Sequence, residues 1–540
     1  MRDTLTPGIQ VAEQGGAEQP IERVPTSIAA FVGRALRGPV NHPVAVASFH
    51  DYQSVFGGLW QPSPLSYAVE QFFENGGRSA LIVRVVNGGR PPTLALPGPG
   101  GALTLTALCP GTREFLRAAV DYDGIPDTDQ EHFNLTLQRV RAPGSEHVED
   151  QEIFRRLSMR TESARSVAAT LVESTLARPT AIPEQRPFAT TRGDGYVRSN
   201  SDGDDGGPIT DYDLIGSASE ATGVFALKDA PHFNLLCLPP LAREHPVGPG
   251  ALLVAGRYCR ERRAMLLVDP PAEWQSSEAA LRGLRDLPYR GENALMYFPW
   301  VLAYDRLRGR FEPFAPSGAA AGMLARLDAL RPVWSPAEVD EAALRPGLRP
   351  AVQVGEAARV RLVNAGINVL LAVRPRTSLG ARTLAGPLAS TPDWTYLGLR
   401  RFALFLVDSL ERGTRWAVFE NSGPPLWDRL RHQVAEFLGL LEADGAFPGR
   451  PPGEAWFVVC DERLNRTGGP GATFVFGFAA LREGDFHCWL IEHRPGGGRV
   501  QAVTLNRLQN GVVGPGLAAE LDVRDLLPRA TSRSLLPRAD

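Results

Sequence analysis

Lysine is almost absent from this 540-residue chain: Lys228 is the one lysine among 57 basic residues. A phosphate-cradling loop of the Gly-x-x-x-x-Gly-Lys-Ser/Thr type needs a lysine at its end, and Lys228 is followed by Asp229, so that loop is excluded. Cysteine is scarce as well. Cys109, Cys237, Cys259, Cys460 and Cys488 are far apart, odd in number and form no Cys-x-x-Cys pair. That argues against a zinc knuckle or a disulfide framework and for buried, reduced thiols. No serine sits in a Gly-x-Ser-x-Gly elbow, and the nine histidines form no His-Glu-x-x-His motif. The glycine-rich stretches at 98–101 and 468–471 lack the third glycine of a dinucleotide fingerprint and read as turns. Long hydrophobic runs are missing: residues 402–407 and 367–373 are far below membrane-spanning length. Arg2, Asp3 and Glu13 have no apolar run behind them, unlike a signal peptide. A net charge of -3 provides no field toward nucleic acid. We therefore expect no cofactor, no metal, no nucleic-acid partner and no direct membrane insertion.

What is present is ordinary globular composition, 43% hydrophobic and 22% charged, on a chain long enough for about three or four domains. Residues 1–22 are polar except for the alternating segment Gly8-Ile9-Gln10-Val11-Ala12-Glu13, where Ile9 and Val11 would share one strand face with no hairpin partner nearby. From Val24 the order is strand 28–32, strand 44–46, a short helix capped by Ser48 and closed at Gly57-Gly58, a helix over 66–74, and a strand over 81–86. Residues 88–101 read as a Pro/Gly linker. After it come a period-2 strand at 103–108, a helix near 166–176, and a long exposed loop at 179–207. Between Asp211 and Leu384 short apolar strands (233–238, 264–268, 293–299) alternate with helices, the pattern of a parallel two-sided sheet. Strands follow at 456–459 and 473–478, with one more alternating segment at 500–505.

Three clusters invite a chemical reading. Asp202, Asp204, Asp205, Asp211 and Asp213 lack the glycine placement and terminal glutamate of a calcium loop; they read as a solvated loop leading to a Thr210–Asp213 capping box. His487, Cys488 and His493 lie in an apolar strand and read as packing. The helix over 426–441 carries Trp427, Leu430, Val434, Phe437, Leu438 and Leu441 at helical spacing, with Arg429, Arg431 and His432 toward its other side.

Several strings resemble contractile tail sheath proteins of phages and injection systems. They include Thr6-Pro7-Gly8-Ile9-Gln10-Val11, Pro25-Thr26-Ser27-Ile28-Ala29-Ala30-Phe31-Val32-Gly33-Arg34, and Ala68-Val69-Glu70-Gln71-Phe72-Phe73-Glu74-Asn75-Gly76-Gly77. Farther along are Phe233-Asn234-Leu235-Leu236-Cys237-Leu238-Pro239, Val268-Asp269-Pro270-Pro271, Asn364-Ala365-Gly366-Ile367-Asn368-Val369, Trp416-Ala417-Val418-Phe419-Glu420 and Pro425-Leu426-Trp427. The resemblance, spread in order over about 6–493, implies a multidomain α/β fold and a structural, non-enzymatic subunit. Its implied parts are an N-terminal exchange arm (1–22), an α/β segment (23–90) and an inserted, outward-facing β-rich domain (91–207). A subtilisin-like central domain (208–390), an α+β domain facing an inner tube (391–493) and a C-terminal extension (494–540) complete it. It implies further copies of the chain, an inner tube, and baseplate and terminator proteins as partners. It also implies assembly in a bacterial cytoplasm and residence in a virion tail or injection particle. The arm residues are then Ile9 and Val11 with Val500 and Val503, and Arg429, Arg431 and His432 meet the inner tube. Because sheath proteins usually end soon after the strand aligned here with 486–492, the exchanged C-terminal strand is either that one or 500–505. Two alternatives are another tail or baseplate component, and a subtilisin-like hydrolase. The hydrolase has only His232 and His245 between 211 and 384 to serve as base.

Overall fold

The computed structural model describes residues 20–190, 195–335, 343–371, 379–447, 454–479 and 486–503. They form two compact units, one of residues 26–400 and one of residues 20–25 with 401–503.

The larger unit opens with β1 (Ala29–Gly33), β2 (Val44–Val46), α1 (Phe49–Phe56), α2 (Pro64–Glu74) and β3 (Ala80–Arg84). The Ser48 hydroxyl accepts from Asp51 N at 3.1 Å, and Gly57 ends α1 with φ 87°, a left-handed value that favours glycine. α2 starts slightly earlier than its sequence pattern indicates, because Ser63 caps it and Pro64 occupies the first turn.

Next come β4 (Thr93–Leu96), β5 (Leu103–Ala107), β6 (Leu116–Asp121), β7 (His132–Val140), β8 (Val148–Ser158), α3 (Val167–Thr170), β9 (Ala177–Ala181) and β10 (Val197–Arg198). They make two antiparallel sheets, β4-β5-β9 and β10-β6-β7-β8, around one core that includes Leu94, Leu105, Phe133 and Leu157. Three sequence expectations are corrected here. The 88–101 linker contains β4: Leu94 and Leu96 alternate inward and pair with β5, a short strand between flanking prolines. The helix near 166–176 is one α-turn followed by a 3₁₀ turn (Leu171–Glu173), because Glu152 of β8 draws Ser174 and Thr175 into hydrogen bonds with its carboxylate. The 179–207 segment is fastened to its neighbours. Asp202 accepts from Thr93 N and Oγ1 at 2.9 and 2.7 Å, and Asp205 accepts from Thr112 N and Oγ1 at 2.8 Å each. The Thr210–Asp213 capping box is formed, with Asp213 Oδ2 accepting from Thr210 N at 2.7 Å.

The remainder of this unit is α4 (Asp211–Ile215), β11 (Leu235–Cys237), α5 (Pro249–Glu261), β12 (Met265–Val268), α6 (Ser277–Gly283), β13 (Ala294–Phe298), β14 (Val301–Asp305), β15 (Arg310–Phe314), α7 (Ser317–Leu330), β16 (Arg349–Pro350), α8 (Glu356–Ala365) and β17 (Asn368–Val369). The main sheet has the order β17-β13-β12-β11-β1-β3-β2 and is parallel except at β2. Its five inner strands are buried on both faces, which is why they read as continuous apolar runs. Ala30, Val32, Leu236, Leu266 and Met296 share one core with Ala255 and Cys259 of α5.

The smaller unit holds α9 (Leu397–Gly413) from Arg401 on, α10 (Pro424–Ala443) and an antiparallel sheet β18-β19-β20-β21, formed by Trp456–Val459, Ala472–Ala479, Phe486–His493 and Arg499–Val503. All five cysteines are free and buried. Among the described residues, no helix is long and apolar enough to cross a membrane.

Candidate functional site

α10 begins with Pro424 and Pro425 in its first turn, where missing amides cost nothing. All six apolar residues picked out by helical spacing, from Trp427 to Leu441, are buried. Arg429, Arg431 and His432 are exposed together on its other side. Two of these bases already have acidic neighbours. Arg429 Nη1 lies 3.5 Å from Glu420 Oε1, with its guanidinium 4.5 Å above the Trp416 ring, and Arg431 donates to Asp428 Oδ1 at 2.5 Å. Such exposed pairs contribute only ~0.2–1 kcal/mol each. Phe419 ends the 3₁₀ turn Arg415–Phe419 that carries Trp416 and is 90% exposed. Phe419 belongs to a sheath-like string, but the sequence gives it no site role, because a single aromatic in a loop carries no periodic signal.

The four-stranded sheet offers backbone edges. β19 is buried along its whole length and pairs with β18 and β20, while β18 and β21 are the outer strands. β21 lies antiparallel on β20 of its own chain, with Val500 opposite Ile491 and Val503 opposite Cys488. Val503 is buried, and Val500 is half-buried. Ile9 and Val11 lie outside the described residues. His493 ends β20 in a buried position, its Nε2 2.7 Å from Thr414 Oγ1. Burial pulls the His493 pKa down to about 4.

The hydrolase alternative is testable at one place. In an open parallel sheet, ligands sit beyond the carboxyl ends of the strands where the strand order reverses, here between β1 and β11. Among the described residues, α2 occupies part of that crevice. A Cβ on Gly33 would meet Leu65 at 3.0 Å, so α2 packs directly on the end of β1. Pro64, Tyr67, Pro239, Pro240, Trp300 and Phe314 help wall a cavity of about 20 Å³, room for one water. Nearby, Asp269 follows β12 and accepts from Ser317 N and Oγ at 2.8 Å each, anchoring the start of α7. Burial pushes its carboxyl up to about 7. This acid–serine pair includes no histidine: His232 Nε2 contacts Asn234 Nδ2 at 2.9 Å, and His245 sits in an exposed turn with Ala242. The pair anchors the start of α7 and has no histidine in it. Among the described residues, no three His, Cys, Asp or Glu side chains are grouped to hold a metal.

No protein-family model matches the sequence, and no curated protein matches it. Solved structures do. The sheath tail protein of Listeria innocua is 10% identical with a TM-score of 0.57, covering 88% of this chain and 97% of its own. That of Desulfitobacterium hafniense is 12% identical with a TM-score of 0.50, covering 91% and 98%. The sheath of an extracellular contractile injection system (PVC), in its contracted state, is 16% identical with a TM-score of 0.50, covering 89% and 96%. Over most of its length, this chain has the fold of tail sheath and contractile injection system sheath proteins.

Proposed function

We propose that the chain is the structural subunit of a contractile tail sheath, polymerising as a helical tube around an inner tube and contracting to drive that tube through a target envelope. The observation that carries this reading is the shared fold, which spans 96–98% of three solved sheath chains. The sheath-like strings, in sheath order, support it independently. In this reading, residues 208–390 are a subtilisin-like central domain used as scaffold, 91–207 face outward, and 391–493 face the inner tube through Arg429, Arg431 and His432. The packing of α2 on the end of β1 and the histidine-free Asp269–Ser317 pair support a role without catalysis.

The arms supply the cohesion. A strand bearing Ile9 and Val11 adds to an outer edge of a neighbour's four-stranded sheet, and β21 passes from its own β20 to that of a neighbour. The exchange replaces each ladder bond by an identical one, so it has little net cost per subunit and interlocks the copies noncovalently. Baseplate and terminator proteins close the two ends. Assembly takes place in a bacterial cytoplasm, and the finished tube belongs to a virion tail or injection particle. Negative-stain microscopy of the purified protein tests the proposal: hollow, striated tubes are expected, and a persistent monomer, alone and with inner tube added, overturns it.

A further inference from the structure

β21 is only lightly anchored by its side chains. It lies at the edge of its sheet, antiparallel to β20 over five positions, from Arg499 opposite Glu492 to Val503 opposite Cys488. Arg499 and Ala502 are exposed, and Val500 and Gln501 are half-buried. Of its five residues Val503 alone is buried, in a core with Cys488 and Leu490. β19, in the middle of the sheet, is buried at all eight positions. Backbone bonds therefore hold β21 more than burial does, and the same edge on another copy offers the same bonds.

What keeps the strand on its own β20 is the connection between them, Arg494-Pro495-Gly496-Gly497-Gly498. Gly497 N donates to the Arg494 carbonyl at 3.2 Å, closing a turn with Pro495 at its second position and Gly496 at its third. Gly496 has φ 93° and Gly497 φ 141°. Proline followed by a residue of positive φ is the pattern of a type II turn, whose third position favours glycine. A Cβ at either glycine would meet nothing within 4 Å, so a side chain there strains the backbone conformation and displaces no neighbour. In an extended connection that crosses to another copy, neither residue needs a positive φ.

We infer that the 494–498 turn is a latch: it folds β21 back over the edge of β20, and its opening sets the rate at which copies join. The inference rests on the strand-exchange reading above and adds to it a self-capped state that precedes assembly. Two full-length variants test it with opposite signs. Gly496→Val with Gly497→Val strains the closed turn and leaves an extended linker unstrained. The lag before tube formation, followed by light scattering, should therefore shorten at least threefold at equal concentration. Glu492→Cys with Arg499→Cys places two cysteines opposite each other at the turn end of the ladder. Once they are joined, residues 500–503 are tethered to their own sheet and reach at most ~14 Å from it. The oxidised protein should stay unassembled, and reduction should restore tubes. A lag unchanged or lengthened in the valine variant, with its circular dichroism intact, overturns the latch; if that variant misfolds, the cysteine pair decides alone. Tubes from the oxidised protein, with the crosslink verified by mass, overturn the latch and leave the sheath reading standing. No tubes from any form, wild type included, sinks the sheath reading and the latch with it.

Discussion

Arginine holds loops together in this protein in a way that lysine cannot. Arg84 is buried at the end of β3 and donates to the carbonyls of Ala35, Gly38 and Pro110 at 3.1, 2.7 and 2.8 Å. Three acceptors in three directions match a planar fork, not a point charge. Arg84→Lys should strand two of them and lower stability by about 2–4 kcal/mol, read as the shift in urea unfolding midpoint. Two buried titratable groups give opposite pH slopes. His493, depressed to about 4, binds its proton more weakly folded than unfolded. Its contribution is present above about 6.5 and is lost as pH falls toward 4. Asp269, raised to about 7, holds its proton more tightly folded, so its contribution is present below about 3.9 and is lost as pH rises through 7. Relative to wild type, His493→Asn should gain stability as pH falls from 6.5 to 4, and Asp269→Asn should gain as pH rises from 4 to 7. Urea midpoints across that range check both signs.

At the scale of elements, the critical contact is between α2 and α7. A Cβ on Gly318 would lie 2.2 Å from the Ala68 carbonyl oxygen, and one on Gly322 would lie 2.3 Å from that of Phe72. The two helices therefore touch backbone to backbone through a run of small residues. Gly322→Ala should push them apart and cost about 1–3 kcal/mol by overpacking, visible as a lowered thermal midpoint. The same substitution at Gly439, where an added Cβ meets nothing within 4 Å, should be neutral or slightly stabilising through helix propensity.

At the scale of the whole molecule, the sheath proposal places function in what each copy gives its neighbours. A four- or five-bond arm supplies only a few kcal/mol at ~1 kcal/mol per bond, which is weak once and strong when repeated along a tube. Deleting residues 1–22 should leave a soluble, folded subunit that no longer forms tubes. Microscopy of the truncated protein checks this, and tubes of normal length would mean that the arm is dispensable. Reversing Arg429 and Arg431 to glutamate places like charge beside Glu420 and Asp428 on an exposed face. That change should weaken co-sedimentation with the inner tube several-fold at low salt, with the unfolding midpoint nearly unchanged.

Local patterns in the sequence determined the local structure. The caps at Ser48 and Gly57, the Thr210–Asp213 box, the buried stripe of α10 and the strand–helix alternation of the parallel sheet are each set by residues a few positions apart. β4 escaped because its four residues sit between prolines, and composition masked its alternation. The sheath-like strings likewise point to a fold that the solved sheath structures share. What only the tertiary structure decided are meetings of distant residues. Asp269 finds Ser317 across 48 positions, two helices cross on Gly318 and Gly322, and Arg349 of β16 stacks on Phe311 of β15. The partner of β21 shows why. Its alternation of side chains defines a strand, but a strand's hydrogen bonds are satisfied equally by any edge of matching register. Only the packing of the folded chain places Val503 against Cys488.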